Sequence, residues 1–398
     1  MYSIIAGAIN HPDPLNPYRG LFNHRSLRSL SEAGTDVSVV SPRPHAPPVG
    51  PYAEFASIPK TESWGPYIAH YPRFWYLLPK RLLYAVSGRS YAKRIPRYVE
   101  RTFEVPDVIH ACHIYPDGYG LLPYARRHDV PLFVVSHGKL LNDFDTLPPG
   151  VAKKVESTLE AATGVFCVSD ALQQKAKQLT DPRKVRTVPI GADPASFPVD
   201  TREQIRRELG IAPETTLVLF VGQFTDRKGI PEICELLRRT EIDNIEFAFI
   251  GHGGTQREKL QKALESSAYS AEHLYTGVSS ETLQRWYAAA DLLLLPSHAE
   301  GRPTVIYEAM ASETAVLASA VGGVPEQVDD GITGALVPPG DVDALVETLE
   351  STVADHEALA RMGRRGLDRL QSEGWTWADH ADRVQEIHME VVHDRKQE

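Results

Sequence analysis

The strongest constraint on the fold is a rhythm of short apolar runs, each closed by a small or polar residue and followed by a stretch of helical periodicity. In the first half the runs are "VSVV" at 37, "DVIH" at 107, "PLFVVS" at 131 and "GVFCVS" at 164; "TLVLFVG" at 216, "EFAFIG" at 246, "DLLLLPS" at 291 and "AVLAS" at 315 repeat it. Strands this short and this apolar, alternating with amphipathic helices, belong to parallel sheets covered on both faces. The rhythm lapses in a Pro-, Gly- and Asp-rich stretch over 189–200, which has the composition of a linker. A chain of 398 residues, 42% apolar, is long enough for two cores. The expected fold is therefore α/β, with two Rossmann-like, doubly wound parallel-sheet domains facing across a cleft.

Charge and cysteine content narrow the function. A formal charge of -10 argues against a nucleic-acid surface spread over the whole molecule. Cys112, Cys167 and Cys234 are far apart and lack metal-ligand spacing, so free thiols are expected and neither a disulfide nor a zinc site. "MYSIIAGAIN" reads as a first buried strand and not as a signal peptide. The longest apolar runs fall far short of the ~20 residues needed to span a bilayer.

Open α/β sheets bind ligands beyond the carboxyl ends of their strands, where this chain places His113, His137, Gly222, Gly251, Gly277, Glu300 and Gly301. In "FVGQFTDRKGIPEICELLRR", Arg227 and Lys228 precede a helix that starts near Pro231. Cations there oppose the helix dipole, so either an anion such as a phosphate joins them or they form a solvated surface pair. "FIGHGGTQREKL" fits a dinucleotide fingerprint only in part, since Gln256 stands where a third small residue belongs. In "PSHAEGRPTVIYEAMA", Glu300 falls at a strand end and would point into the cleft. Glu308 falls inside an apolar helix and must reach solvent or hold a partner, for which two hydroxyls suit a carboxylate. The backbone N–H groups of residues 302–305 are expected to form a donor-rich helix start.

Together these segments resemble glycosyltransferase family 4, of the GT-B architecture, along nearly the whole chain. "EGRPTVIYEAMA" is similar to the family's pair of glutamates separated by seven residues, "VGQFTDRKG" to its phosphate-binding turn, and "LYTGVSSETLQRWYAAADLLLLPS" to its nucleotide-side segment. "GGVPEQVDDGITGALVPPGD" resembles the stretch that follows. "NPYRGLFNHRSLRSLSEAGTDVSVVSP" and "DVIHACHIYPDGYG" resemble members that build cell-surface polysaccharides and glycolipids.

The resemblance implies a retaining hexosyltransferase that uses a nucleotide-diphosphate sugar, with UDP the expected nucleotide, no further cofactor and no metal. Residues 1–190 would bind the acceptor and 191–374 the donor, with a C-terminal helix over 375–398 packing back on the first domain. Glu308 would hold the ribose hydroxyls, and Glu300 the transferred sugar. Lys228 and Arg227 would neutralise the leaving diphosphate, and Gly277 and Val278 would present backbone to the base. His137 would face the sugar or acceptor, and Gly20 would let the first loop approach the donor. With Gly301, Arg302, Pro303, Thr304 and Val305 at the helix start, this completes the expected donor contacts. Two positions depart from the family pattern. Gln223 stands where arginine is frequent, and Glu313 lies where a small residue or glycine is usual.

Asp143 with Asp145, and Asp341 with Asp343, have the spacing of a metal-binding pair, but Asp341 reads as a helix N-cap and the first pair as a loop. Residues 72–101 hold eight Lys or Arg against one Glu, interleaved with Phe74, Trp75, Tyr76, Tyr84 and Tyr91. That composition suits either an anionic membrane surface or a solvated helix packed on the sheet. The acceptor is expected to be a glycan or lipid-linked, and the enzyme cytoplasmic or peripheral on the inner membrane face. Two other functions fit the same residues: a nucleotide-sugar epimerase, and a non-catalytic nucleotide-sugar-binding partner.

Overall fold

The computed structural model describes residues 2–45, 53–75, 80–270 and 272–397, which divide into two compact units: Met1–Ile190 with Trp377–Glu398, and Gly191–Thr376.

The first unit holds ten strands: β1 (Ser3–Gly7), β2 (Asp36–Val40), β3 (Arg43–Pro44), β4 (Thr61–Ser63), β5 (Ile68–His70), β6 (Arg73–Phe74), β7 (Val108–Ala111), β8 (Leu132–Ser136), β9 (Gly164–Cys167) and β10 (Val185–Thr187). Eight of them form one sheet in the order β10-β9-β8-β7-β1-β2-β5-β4, parallel except for the β4–β5 pair. β7, β8 and β9 are buried along their whole length, as strands covered on both faces must be. The short pair β3–β6 follows the carboxyl ends of β2 and β5. The helix Trp377–Gln397 closes this unit against the helix Leu21–Glu32. Its contacts are polar as well as apolar: His380 Nε2 lies 2.7 Å from Ser26 Oγ, and His388 Nδ1 3.1 Å from Tyr2 Oη.

The second unit is a six-stranded, all-parallel sheet built from β11 (Thr216–Val221), β12 (Ile245–Gly251), β13 (Leu274–Thr276), β14 (Leu292–Leu295), β15 (Ala315–Ser319) and β16 (Gly334–Val337). The order is β13-β12-β11-β14-β15-β16, so the chain moves outward in one direction and then restarts on the other side of β11. That reversal opens a crevice between the carboxyl ends of β11 and β14, the switch point at which doubly wound sheets bind ligands. The local code is plain: every residue of β11 and β14 is buried, and both strands stop at residues that favour a turn, Gly222 and Pro296.

Glu313 shows what the departure from glycine costs. It adopts φ 56°, the left-handed conformation, just after the helix Thr304–Ala311. A non-glycine residue there is disfavoured by roughly 1–2 kcal/mol, which is why glycine is the common choice past a helix C-terminus. Glu313→Gly is therefore expected to stabilise the second unit by about 1 kcal/mol, readable as a raised denaturant midpoint with unchanged slope. Among the described residues no helix is long and apolar enough to cross a membrane.

Candidate active site

The switch point of the second unit brings together Lys228 and Glu300, two of the residues singled out in the sequence, and the helix that follows β14 carries a third, Glu308. After β11 the chain runs through Gly222 and a 3₁₀ turn, Asp226–Lys228, into the helix Ile230–Arg239. After β14 it runs through Pro296, His298 and Glu300 into the helix Thr304–Ala311. Two contacts lock these loops together. Gly229, at φ 75°, places its Cα so close to Pro296 that an added Cβ would lie 2.0 Å from the Pro296 carbonyl oxygen, and the His298 N–H donates to the Arg227 carbonyl at 2.9 Å.

The lock sets the chemistry. Lys228 Nζ donates to Glu300 Oε1 at 2.5 Å, with both side chains mostly buried, 16% and 6% exposed. A charge-assisted bond of this kind is short and strong, and it holds an ammonium and a carboxylate side by side in the crevice. Glu308 lies one turn inside the following helix, 5% exposed, and its Oε2 accepts from Tyr287 Oη at 2.9 Å. The partner this buried carboxylate demanded is thus a phenol on the helix Ser280–Ala289. Arg227 and Gln223 are exposed on the β11 loop.

Other expectations need correction. The Arg302 guanidinium is buried, stacks over the Trp375 ring at 4.6 Å and pairs with Glu326 at 3.3 Å. Pro303 has no N–H, so residues 302–305 do not offer an unbroken row of donors. The helix starts at Thr304, with Val305 second, and Ile306 N–H already bonds to the Pro303 carbonyl. Gly301 uses its carbonyl to accept from Gly323 N–H at 2.8 Å. Gly277, at φ 72°, donates its N–H to the Gly251 carbonyl at 2.9 Å, so that N–H is not a donor for a base; Val278 follows, half-buried. Two of the three glycines of "GHGG" serve packing: Cβ atoms on Gly251 and Gly254 would lie 2.3 and 2.1 Å from the Gly222 and Phe224 carbonyl oxygens.

In the first unit, His137 follows β8 and packs on Phe22, with ring centroids 4.5 Å apart, and near His113 at 5.5 Å. Burial, and then the neighbouring histidines, hold its pKa well below the usual imidazole value, so it is neutral at pH 7. Its Nε2 is buried without a hydrogen-bond partner. His113 is oriented by Asp117, whose Oδ2 lies 2.9 Å from Nδ1 and whose Oδ1 accepts from Ile9 N–H and Tyr91 Oη. Gly20 adopts φ 58°, and a Cβ there would lie 2.0 Å from the Asn10 carbonyl oxygen, so both its conformation and its surroundings call for glycine. Its close approach is therefore to its own first loop. Asp341 caps the helix Val342–Val353 by accepting from Ala344 N–H, and Asp143 pairs with Lys139.

Tyr287, Asp117, Trp375 and His298 have no local signal for these roles. Tyr287, Trp375 and His298 act through neighbours that are remote in sequence, whereas Asp117 stands four positions from His113; only "WYAAAD" ahead of β14 could have drawn attention to Tyr287.

A largely parallel eight-stranded sheet in one unit and an all-parallel six-stranded sheet in the other are the two Rossmann-like domains of the GT-B glycosyltransferase fold. Solved structures agree: sucrose-phosphate synthase from Thermosynechococcus elongatus superposes with TM-score 0.81 at 20% identity, covering 99% of this chain and 100% of that one. Anabaena HepE in complex with UDP-glucose superposes with TM-score 0.72 at 16% identity, covering 97% and 99%. The family description Glycosyltransferase Family 4 matches residues 22–196, and Glycosyl transferases group 1 matches 201–369. The chain is 29% identical over 357 residues to TuaC of Bacillus subtilis (strain 168), named for teichuronic acid biosynthesis, with 88% of each covered. It is 30% identical over 296 residues to a D-inositol 3-phosphate glycosyltransferase of Kribbella flavida, with 68% of each covered. The chain belongs to glycosyltransferase family 4 and is a glycosyltransferase enzyme.

Proposed function

We propose that this enzyme transfers a hexose, with retention of anomeric configuration, from a nucleotide-diphosphate sugar, UDP-linked by expectation, to a glycan or lipid-linked acceptor of cell-surface polysaccharide or glycolipid synthesis. The observation that carries the reading is the 2.5 Å pair of Lys228 and Glu300 at the switch point, with a buried Glu308 on the helix that follows. In the free enzyme each charge satisfies the other. A bound diphosphate offers Lys228 a second anion, which leaves Glu300 to accept hydroxyls of the sugar. As the bond from the anomeric carbon to phosphate oxygen breaks, Lys228 stabilises the charge that develops on the departing diphosphate, with Arg227 at the exposed edge. The acceptor hydroxyl forms the new glycosidic bond, and its proton goes to the leaving phosphate. Glu308, fixed by Tyr287, is positioned to accept two ribose hydroxyls, and neutral His137 to bond a hydroxyl of the sugar or acceptor through Nε2. The donor supply would place the enzyme in the cytoplasm, with lipid-linked acceptors met at the inner membrane face.

A panel of nucleotide sugars, screened for thermal stabilisation and then for hydrolysis and transfer, tests the reading, since a ligand of the native state raises apparent stability by mass action. Stabilisation without turnover would indicate the non-catalytic partner, and conversion of the donor sugar without any acceptor would indicate the epimerase. Glu308→Gln is expected to weaken nucleotide binding about tenfold, because charge-assisted bonds to the ribose become neutral ones. With a 2′,3′-dideoxynucleotide, calorimetry should find the variant and the parent alike.

A further inference from the structure

The first unit carries a groove of about 1050 Å³ between the segment leading into β4, the turn around β6 and the helix Lys80–Thr102. Its lining includes Lys60, Arg73, Arg89, Lys93, Arg97 and Arg101, and no carboxylate stands among its lining residues. None of these six forms an ion pair with a described residue. Arg73 donates through Nη2 to the Ile58 carbonyl at 2.7 Å, while its Nη1 is buried without a partner. Tyr76, counted with this stretch in the sequence, lies outside the described residues, as do the side chains of Lys80 and Arg81.

The charge spacing along the helix does not favour the fold. Arg89, Lys93, Arg97 and Arg101 recur every four residues, so the helix presents like charges one above another, a spacing that destabilises a helix on its own. The row extends ~18 Å at 1.5 Å per residue. Beside it Trp75 is 46% exposed, with the Arg94 guanidinium 5.4 Å from its ring centroid. The groove also has a direction. The β3–β6 pair follows the carboxyl ends of β2 and β5, at the end of the sheet where His113 and His137 follow β7 and β8. The helix starts there and ends shortly before β7, so the cationic row leads away from that end along the sheet's flank.

We propose that this groove binds the already built part of an acidic glycan, a chain bearing carboxylate or phosphate groups at regular intervals, while its tip is extended at the site. This rests on the glycan-acceptor reading above and narrows it to polyanionic acceptors. Lys60, Arg89, Lys93, Arg97 and Arg101 are exposed around a concavity that also holds the half-buried Arg73, and a flexible polyanion can follow such a concavity where a flat bilayer surface cannot. An exposed indole next to a guanidinium suits a sugar ring with a charged substituent, since the ring stacks and the guanidinium pairs.

Binding is measured on the full-length protein without donor, so the outcome does not depend on catalysis. The probes are an oligogalacturonate, an uncharged maltodextrin of equal length, inorganic polyphosphate, and vesicles of phosphatidylglycerol with phosphatidylcholine. Oligogalacturonate should bind in a salt-sensitive way, and maltodextrin should not. The combined Arg89→Ser, Lys93→Ser, Arg97→Ser variant should weaken it roughly tenfold or more, and the combined Arg89→Lys, Arg97→Lys variant should keep most of it. Trp75→Ala should weaken oligogalacturonate severalfold yet leave polyphosphate unchanged. Vesicle binding without oligogalacturonate binding would make this a membrane face and overturn the proposal. So would equal loss of both polyanions on Trp75→Ala, or oligogalacturonate binding indifferent to the serine variant. If the groove test succeeds and nucleotide sugars fail to bind, the donor reading falls and the groove stands.

Discussion

Glu300→Gln is expected to lower turnover by about 10²–10³-fold while nucleotide-diphosphate binding stays intact or tightens. The direction of the binding change follows from the pair. Glu300 holds Lys228 Nζ at 2.5 Å, so an incoming diphosphate must compete with a carboxylate for that ammonium. Glutamine keeps the shape and removes the competing charge, which favours the phosphate. What it cannot do is ease positive charge at the anomeric carbon as the bond breaks, and that loss falls on kcat. Lys228→Ala should show the opposite division, with weaker diphosphate binding and a Glu300 carboxylate left without its cation. Pre-steady-state transfer with calorimetric nucleotide titration measures both quantities. Unchanged turnover in Glu300→Gln would remove the catalytic assignment.

Mild acid is expected to unfold the first unit while the second remains folded. His11, His110, His380 and His388 are all at most 5% exposed. Burial is the largest cause of depressed pKa values in all four: His11 and His110 to about 3, His380 to about 4, where the Pro189 carbonyl offsets part of the shift, and His388 well below the normal range. His110 and His388 also face each other, Nδ1 to Nε2 at 3.4 Å, so protonating one opposes protonating the other. The sign is clear. A histidine whose folded pKa lies below its unfolded value of ~6.5 takes up protons preferentially when unfolded, so its contribution is complete above ~6.5 and lost as pH falls toward the folded value. Each contributes ~1.4 kcal/mol per pH unit across that window. Four together amount to on the order of 5 kcal/mol between pH 6 and pH 5, comparable to the ~5–15 kcal/mol that holds a domain together. Hydrogen exchange at pH 7 and pH 5 should show protection lost in peptides from 2–190 and 377–397, and kept in 191–376. Equal loss in both units would refute the assignment.

Much of the site was legible because it follows strands directly. An apolar run ending at Pro296 or Gly222 announces its own carboxyl end, and the chemistry-bearing residues stand within eight positions of it, so Lys228 and Glu300 could be named from local pattern alone. Glu308 was legible for a different reason: a carboxylate among Ile306, Ala309 and Met310 conflicts with its surroundings unless it has work to do. The place of the Arg302 guanidinium was not legible. Nothing near it in sequence shows Trp375, which lies 4.6 Å from it in space. The Asp13–Arg43 pair, fully buried with 2.7 Å between Oδ2 and Nε, was invisible for the same reason.

The sequence by itself determined the class of fold, the repeated βα units and the residues fit to hold phosphates and hydroxyls, because strand periodicity and side-chain chemistry are local properties. Only the tertiary structure decided which of those residues meet. β14 lies beside β11 and not beside β13, and that strand order alone brings Glu300 to Lys228 across 72 positions of chain. Strand order is settled by how whole helices and sheets pack, and no short stretch of residues encodes it.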